Sequence, residues 1–164
     1  MDSTHPDLTA QIVPGWNTFE NTSNSADVTG HGTIVASVAA AAGNNGIGVA
    51  SVAYGSKIMP IGVTDAAGTA YTSTIASGLT WAADHGARVA NVRFQGASAS
   101  ATVSSAAQYM RSKGGVVVGS SGNSGASRPT PRLTTGRLSG QQTLSTPSPA
   151  FPVMELSSMS LHPV

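Results

Sequence analysis

The residue in this chain best suited to chemistry is His31, held in Gly30-His31-Gly32-Thr33. An imidazole titrates near neutral pH, so it can take a proton in one step and return it in the next. Glycine on both sides leaves the ring open to a substrate, and Thr33 with the small residues after it lets a helix pack closely. A lone Gly-His-Gly is read equally well as a surface histidine at a helix start. Three other histidines carry less. His5 precedes a proline and reads as structural. His85 stands just before Gly86, where a helix dipole favours a cation. His162 lies in a segment of different character.

The elements that must position His31 follow from periodicity. From Gly30 onward Val35, Val38, Ala39 and Ala42 recur at helical spacing, and Gly43 is placed to stop the helix. Residues 57–63 form an apolar run that predicts a buried strand. Residues 72–85 predict a helix ending at Gly86, with Ile75, Leu79, Trp81 and Ala82 among its apolar positions. A strand over 88–94, a helix over 101–113 closed by Gly114, and a short apolar strand over 116–118 follow. Strands alternating with helices require crossover connections, hence a parallel α/β sheet.

Composition narrows the function classes. Charged residues are 9% of the 164, hydrophobic residues 40%, and the net charge is +1. That balance suits close-packed helices on a sheet and offers no electrostatic argument for a nucleic acid or membrane partner. The absence of cysteine excludes disulfides, thiol nucleophiles and cysteine-held zinc. No apolar run approaches the roughly 20 residues that span a bilayer. The first residues have neither a basic start nor an apolar stretch, so they do not read as a signal peptide. The spacing of Gly43, Gly46 and Gly48 does not make a dinucleotide fingerprint, which leaves a nucleotide-binding module with little support.

The order of several blocks carries more than any one of them. His5-Pro6-Asp7-Leu8 is followed by His31-Gly32-Thr33 with Val35-Ala36. Next come Asn44-Asn45-Gly46-Ile47-Gly48-Val49, then Ile58 to Val63, then Gly78-Leu79 with Trp81-Ala82, then His85-Gly86-Ala87, then Ala90-Asn91-Val92. The run ends in Val116 to Gly125. Over residues 1 to about 126 this series resembles the subtilase family of serine peptidases. The resemblance implies a three-layer, doubly wound α/β fold of the subtilisin type and a serine-type endopeptidase by descent, acting on peptide or protein substrates. It implies that His31 takes the serine proton and that Asn123, otherwise an ordinary turn asparagine, donates to the oxyanion. Gly68 and Ala70 match one wall of the substrate cleft. Phe94, Gln95 and Gly96 match the other, where an extended peptide pairs with the backbone. Arg93 stands where a small residue is usual and Gln95 where glycine is frequent; Arg93 either obstructs the cleft or points away from it. Asp7, Gly43, Asn45, Ile47 and Val49 match the family's structural calcium site, with side-chain oxygens from Asp7 and Asn45 and carbonyls from the others. Alone, that loop is a plain turn.

Two members of the catalytic triad have no counterpart in the chain. The aspartate belongs to a central strand that would lie just before residue 1, and the block around the nucleophilic serine appears nowhere. The expected fold is therefore incomplete, lacking the first strand and the nucleophile helix, and the expected chain is a monomer that does not hydrolyse peptides. The second reading is a non-catalytic fragment or a weak peptide-binding scaffold. Residues 127–164 hold six of the nine prolines and two of the nineteen glycines, and no helix or strand period survives there. They predict a tail without packed structure, distinct from a partial catalytic domain over 1–126. Reverse translation of 154–164 read one base back gives Tyr-Gly-Ala-Leu-Val-Asp-Val-Ser-Ala-Pro-Gly, which resembles the family's block upstream of its nucleophile. This predicts a change of reading frame near Ala126, which the gene's other frame would prove or exclude.

Overall fold

A computed structural model describes residues 1–27, 29–94, 97–120 and 152–157. The strands are β1 (Trp16–Asn17), β2 (Lys57–Gly62), β3 (Val89–Val92), β4 (Val116–Gly119) and β5 (Pro152–Ser157); the helices are α1 (His31–Ala40), α2 (Thr72–Asp84) and α3 (Ala101–Ser112). Single turns of 3-10 helix cover Thr9–Gln11 and Ala97–Ala99. All five strands are parallel, in the order β1-β2-β5-β3-β4.

The sheet has helices on both faces, and alternation along β2 shows why. Met59 and Ile61 join a cluster with Ile75 and Leu79 of α2, and Val103 and Met110 of α3. Ile58 faces the other way and packs with Leu8 and with Ala36 and Ala40 of α1. A strand buried on both faces reads as an unbroken apolar run, which is what residues 58–63 are. Leu79 and Met110 are wholly buried; each such side chain stabilises by about 1.5–3 kcal/mol through area removed from water.

The helix ends follow local chemistry. Ser100 accepts a hydrogen bond from the Val103 N–H and caps α3. Gly86 and Gly114 take the left-handed conformation after α2 and α3. The next N–H in each case reaches back, Ala87 to the Ala82 carbonyl at 2.9 Å and Gly115 to the Met110 carbonyl at 3.0 Å. The carboxylate of Asp84 on α2 accepts from the Tyr109 hydroxyl at 2.6 Å and pairs with Lys113 at 3.2 Å, tying α2 to the end of α3. Helix α1 stops at Ala40, earlier than Gly43 predicts, because the Ala42 N–H turns to the carbonyl of Asp7 at 2.9 Å.

Two strands differ from the sequence expectation. β1 has two residues and shows no period to read. β5 comes from within 127–164, where no regular element is expected, and it takes the central position. It pairs with β2 over six residues and with β3 over three. The flanking strands therefore have a partner where an incomplete sheet would leave them bare. The rest of the expected tail lies outside the described residues. Val38, one of the predicted inward positions of α1, is exposed, whereas Val35 and Ala36 are buried.

Candidate active site

In a parallel sheet the carboxyl ends of all strands lie along one edge, and open α/β folds bind ligands there. The chain after β1 leads to His31, the first residue of α1. The chain after β2 leads to Gly68 and Ala70, and the chain after β3 to Phe94. Topology thus brings four of the sequence-predicted positions to one edge. Gln95, Gly96 and Asn123 lie outside the described residues.

His31 is half-buried, and no described residue hydrogen-bonds its ring. Gly30 before it has φ +79°, a conformation that suits glycine, and the Ile34 N–H closes the first helical turn on the Gly30 carbonyl at 3.1 Å. The turn is anchored by Asp27, which the sequence reading passed over. One carboxylate oxygen accepts from the N–H groups of Thr29 at 3.0 Å and Gly30 at 2.8 Å. The other accepts from Thr33, from its N–H at 2.8 Å and its hydroxyl at 2.9 Å. Burial raises the Asp27 carboxyl, but the hydrogen bonds from Thr33, Thr29 and Gly30 outweigh it, so the group sits below its ordinary value. A carboxylate here satisfies free N–H groups and complements the positive end of the helix dipole. An acidic residue just ahead of a predicted helix start was the signal available in the sequence. Asp27, Gly30, Thr33 and Ile34, with residues 1–5, line a groove of about 620 Å³ beside the start of α1.

The proposed cleft walls are ordered by turns. Asp65 accepts the Ala67 and Thr69 N–H groups at 2.9 and 2.8 Å. Thr64 bridges to Ala70, and Gly68 has φ +81°. Ala70 and Phe94 both pack against the α2–α3 cluster, from the ends of β2 and β3. Arg93 is exposed.

Of the residues proposed for calcium, Asn45 and Val49 are hydrogen-bonded to Asp7. Asp7 is 2% exposed. One of its oxygens accepts the Asn45 side-chain N–H at 2.7 Å and the other accepts the Val49 N–H at 3.2 Å. Asn45 therefore turns its amide nitrogen, not its oxygen, toward the carboxylate. Among the described residues no group of three or more histidine, cysteine, aspartate or glutamate side chains converges. Asp7 is the one carboxylate of that donor set.

The doubly wound parallel sheet, with His31 at its carboxyl edge, defines an open α/β fold with a ligand-binding edge. The comparisons make this specific. The Subtilase family model matches residues 1–156, and the chain belongs to that family. It is 37% identical over 129 residues to thermitase of Thermoactinomyces vulgaris, covering 79% of this chain and 46% of that protein. It is 43% identical over 128 residues to subtilisin Savinase of Lederbergia lenta, covering 76% and 45%. Its structure is similar to that of sphericase, with a TM-score of 0.65 and 26% identity, over 77% of this chain and 44% of the other. The chain thus spans about half the length of the relatives it matches.

Proposed function

We propose that this chain is the histidine-bearing part of a serine-type endopeptidase, with His31 as the general base. The observation that carries the reading is the position of His31. It opens α1 at the carboxyl edge of a parallel sheet, its helical turn clamped by Asp27, on the edge to which Ala70 and Phe94 also belong. An extended peptide would lie between the 68–70 and 94–96 segments, pairing with their backbone. His31 would take the proton of an attacking serine hydroxyl, and Asn123 would donate to the oxyanion. No described carboxylate orients the His31 ring. Triad members act as a unit, so the chain alone is not expected to turn over a peptide.

A chimera tests the assignment. Residues 1–120 replace the matched segment of thermitase, and hydrolysis of a protein substrate is measured. Activity that His31→Ala abolishes supports the proposal; activity indifferent to that change rejects it. The natural chain, treated with a fluorophosphonate, is expected to stay unlabelled, and a labelled serine would overturn the inactive reading.

Calcium belongs to the same proposal. A hard cation takes oxygen donors, so Asp7 fits, and Asn45 fits once its amide turns over; the Gly43, Ile47 and Val49 carbonyls would complete the set. Titration with calcium is expected to raise the melting temperature, and Asp7→Asn to remove the rise. No rise in the natural chain would leave the loop as a turn held by Asp7.

A further inference from the structure

The charges are sorted between the two edges of the sheet. Among the described residues Lys57 opens β2, Arg88 precedes β3, and Arg111 and Lys113 lie at the end of α3, where the chain returns to start β4. These cations are at the amino edge, and partners hold several of them there. Lys57 donates to the Ala10 carbonyl at 2.6 Å, Arg88 Nε donates to the Gly114 carbonyl at 3.1 Å, and Lys113 pairs with Asp84. Arg93, just past β3, is the one lysine or arginine among the described residues at the carboxyl edge. It is exposed, and no described residue hydrogen-bonds or ion-pairs with it. The described acids near that edge are Asp2, beside the start of α1, and Glu20, Asp27 and Asp65, which follow β1 or β2, across β5 from Arg93. Each accepts hydrogen bonds within its own turn, from Thr4, Asn17, Gly30 and Ala67 respectively. Alternation sets the side of the sheet. Ala90 and Val92 are buried in the α2–α3 cluster and Phe94 packs against it, so Arg93 belongs to the other face, where Ile58 meets α1. The ladder still runs at this point, since the Ser120 N–H donates to the Val92 carbonyl at 3.0 Å. Arg93 and His31 therefore share one edge and one face.

We infer that Arg93 is a specificity-determining residue that receives an acidic side chain, aspartate or glutamate, of the bound peptide. The inference rests on the peptide cleft proposed above and names the substrate that cleft prefers. A guanidinium keeps its charge and presents a fork of N–H donors that fits a carboxylate with two parallel bonds. Arg93 has no such acceptor among the described residues, so the ligand supplies it. The acids on the β1–β2 side already accept from their own turns and repel a second carboxylate, which confines the acidic side chain to the β3 side. In an extended peptide paired with the backbone, alternate side chains face alternate sides. Arg93 thus reads one position of the peptide, and its neighbours face away.

The full natural chain is titrated with dye-labelled alanine peptides that carry a single Glu, walked along the peptide, and with twins that carry Gln at the same place. Fluorescence anisotropy reads the binding. At one position the Glu peptide is expected to bind about twofold to fivefold more tightly, the range of an exposed ion pair, and salt should remove the difference. Arg93→Gln should make the twins equal. Arg93→Glu should move the preference to a Lys peptide, a reversal that a misfolded variant does not give. Equal binding of the twins at every position, no binding of either, or a Glu preference that survives Arg93→Gln overturns the inference. Turnover does not enter this measurement. An inactive chimera with thermitase would reject the proposed hydrolysis while a Glu preference stands, and a missing Glu preference would reject the role of Arg93 while an active chimera stands.

Discussion

One carboxylate oxygen of Asp27 accepts both the N–H and the hydroxyl of Thr33, at 2.8 and 2.9 Å. The same Thr33 hydroxyl oxygen accepts the Asp2 N–H at 2.9 Å, and the Thr33 carbonyl accepts the Ser37 hydroxyl at 2.9 Å. Thr33 therefore couples the N-terminal segment, the Asp27 loop and the first turn of α1. His31 is inside that turn, so its backbone is set by Asp27 although its ring makes no bond to it. Asp27→Ala should cost about 1–2 kcal/mol, as when a side chain that accepts from the first N–H groups of a helix is removed. Denaturant unfolding measures the loss, and exchange of the Gly30 and Thr33 amides should speed up before that of α3. Equal effects on both regions would contradict a local clamp.

The same carboxylate sets a pH dependence. Its pKa is lower folded than unfolded, so the unfolded chain binds more protons between the two values and stability rises with pH there. The contribution is present above the unfolded value, about 3.9, and is lost as pH falls through the folded one. Asp2 and Asp84 are lowered as well, by the bonds from Thr4 and from Tyr109 respectively. Asp27→Asn isolates the Asp27 share. Unfolding measured from pH 6 downward should show a shallower acid loss in the variant than in the natural chain.

Two glycines in one loop separate space from backbone strain. Gly46 and Gly48 have φ +74° and +63°. A Cβ on Gly46 meets nothing within 4 Å, whereas one on Gly48 would sit 1.9 Å from an Asp7 carboxylate oxygen. Gly46→Ala should cost about 1–2 kcal/mol for the left-handed conformation alone. Gly48→Ala adds displacement of Asp7 and loss of the Val49 bond, so it should melt at a clearly lower temperature. Equal melting temperatures would show that Asp7 moves freely.

The central strand is tested by proline. Met154 stands opposite Met59 of β2 and Ala90 of β3. Met154→Pro removes a ladder donor from a strand bonded on both sides and should cost about 3 kcal/mol or more. Amide exchange in β2 and β3 should accelerate together. Protection that stays unchanged in both strands would remove β5 from the centre of the sheet.

Much of the fold is legible in the residues. Helices expected over 72–85 and 101–113 are α2 and α3 to within a residue, because apolar spacing and a closing glycine are local properties. The strands over 57–63 and 88–94 are longer in expectation than β2 and β3, since apolar runs outlast the hydrogen-bonded ladder. Trp16–Asn17 is illegible because two residues have no period, and it is a strand only because β2 offers a partner. The meeting of Asp7 with the 43–49 loop was legible, but not the turn of the Asn45 amide, whose N–H the carboxylate, an acceptor only, takes up.

By itself the sequence determined the histidine in its glycine frame, the alternation of strand and helix, and the family to which those blocks belong. These are read from neighbours along the chain, where spacing alone decides the face a side chain takes. Tertiary structure alone decided that Asp27 clamps the turn of His31, that Pro152–Ser157 enters between β2 and β3, and that Ile34 and Val38 face outward. Each joins residues distant in the chain or depends on what else covers a surface, and no local pattern records which distant N–H, strand or apolar face a residue will meet.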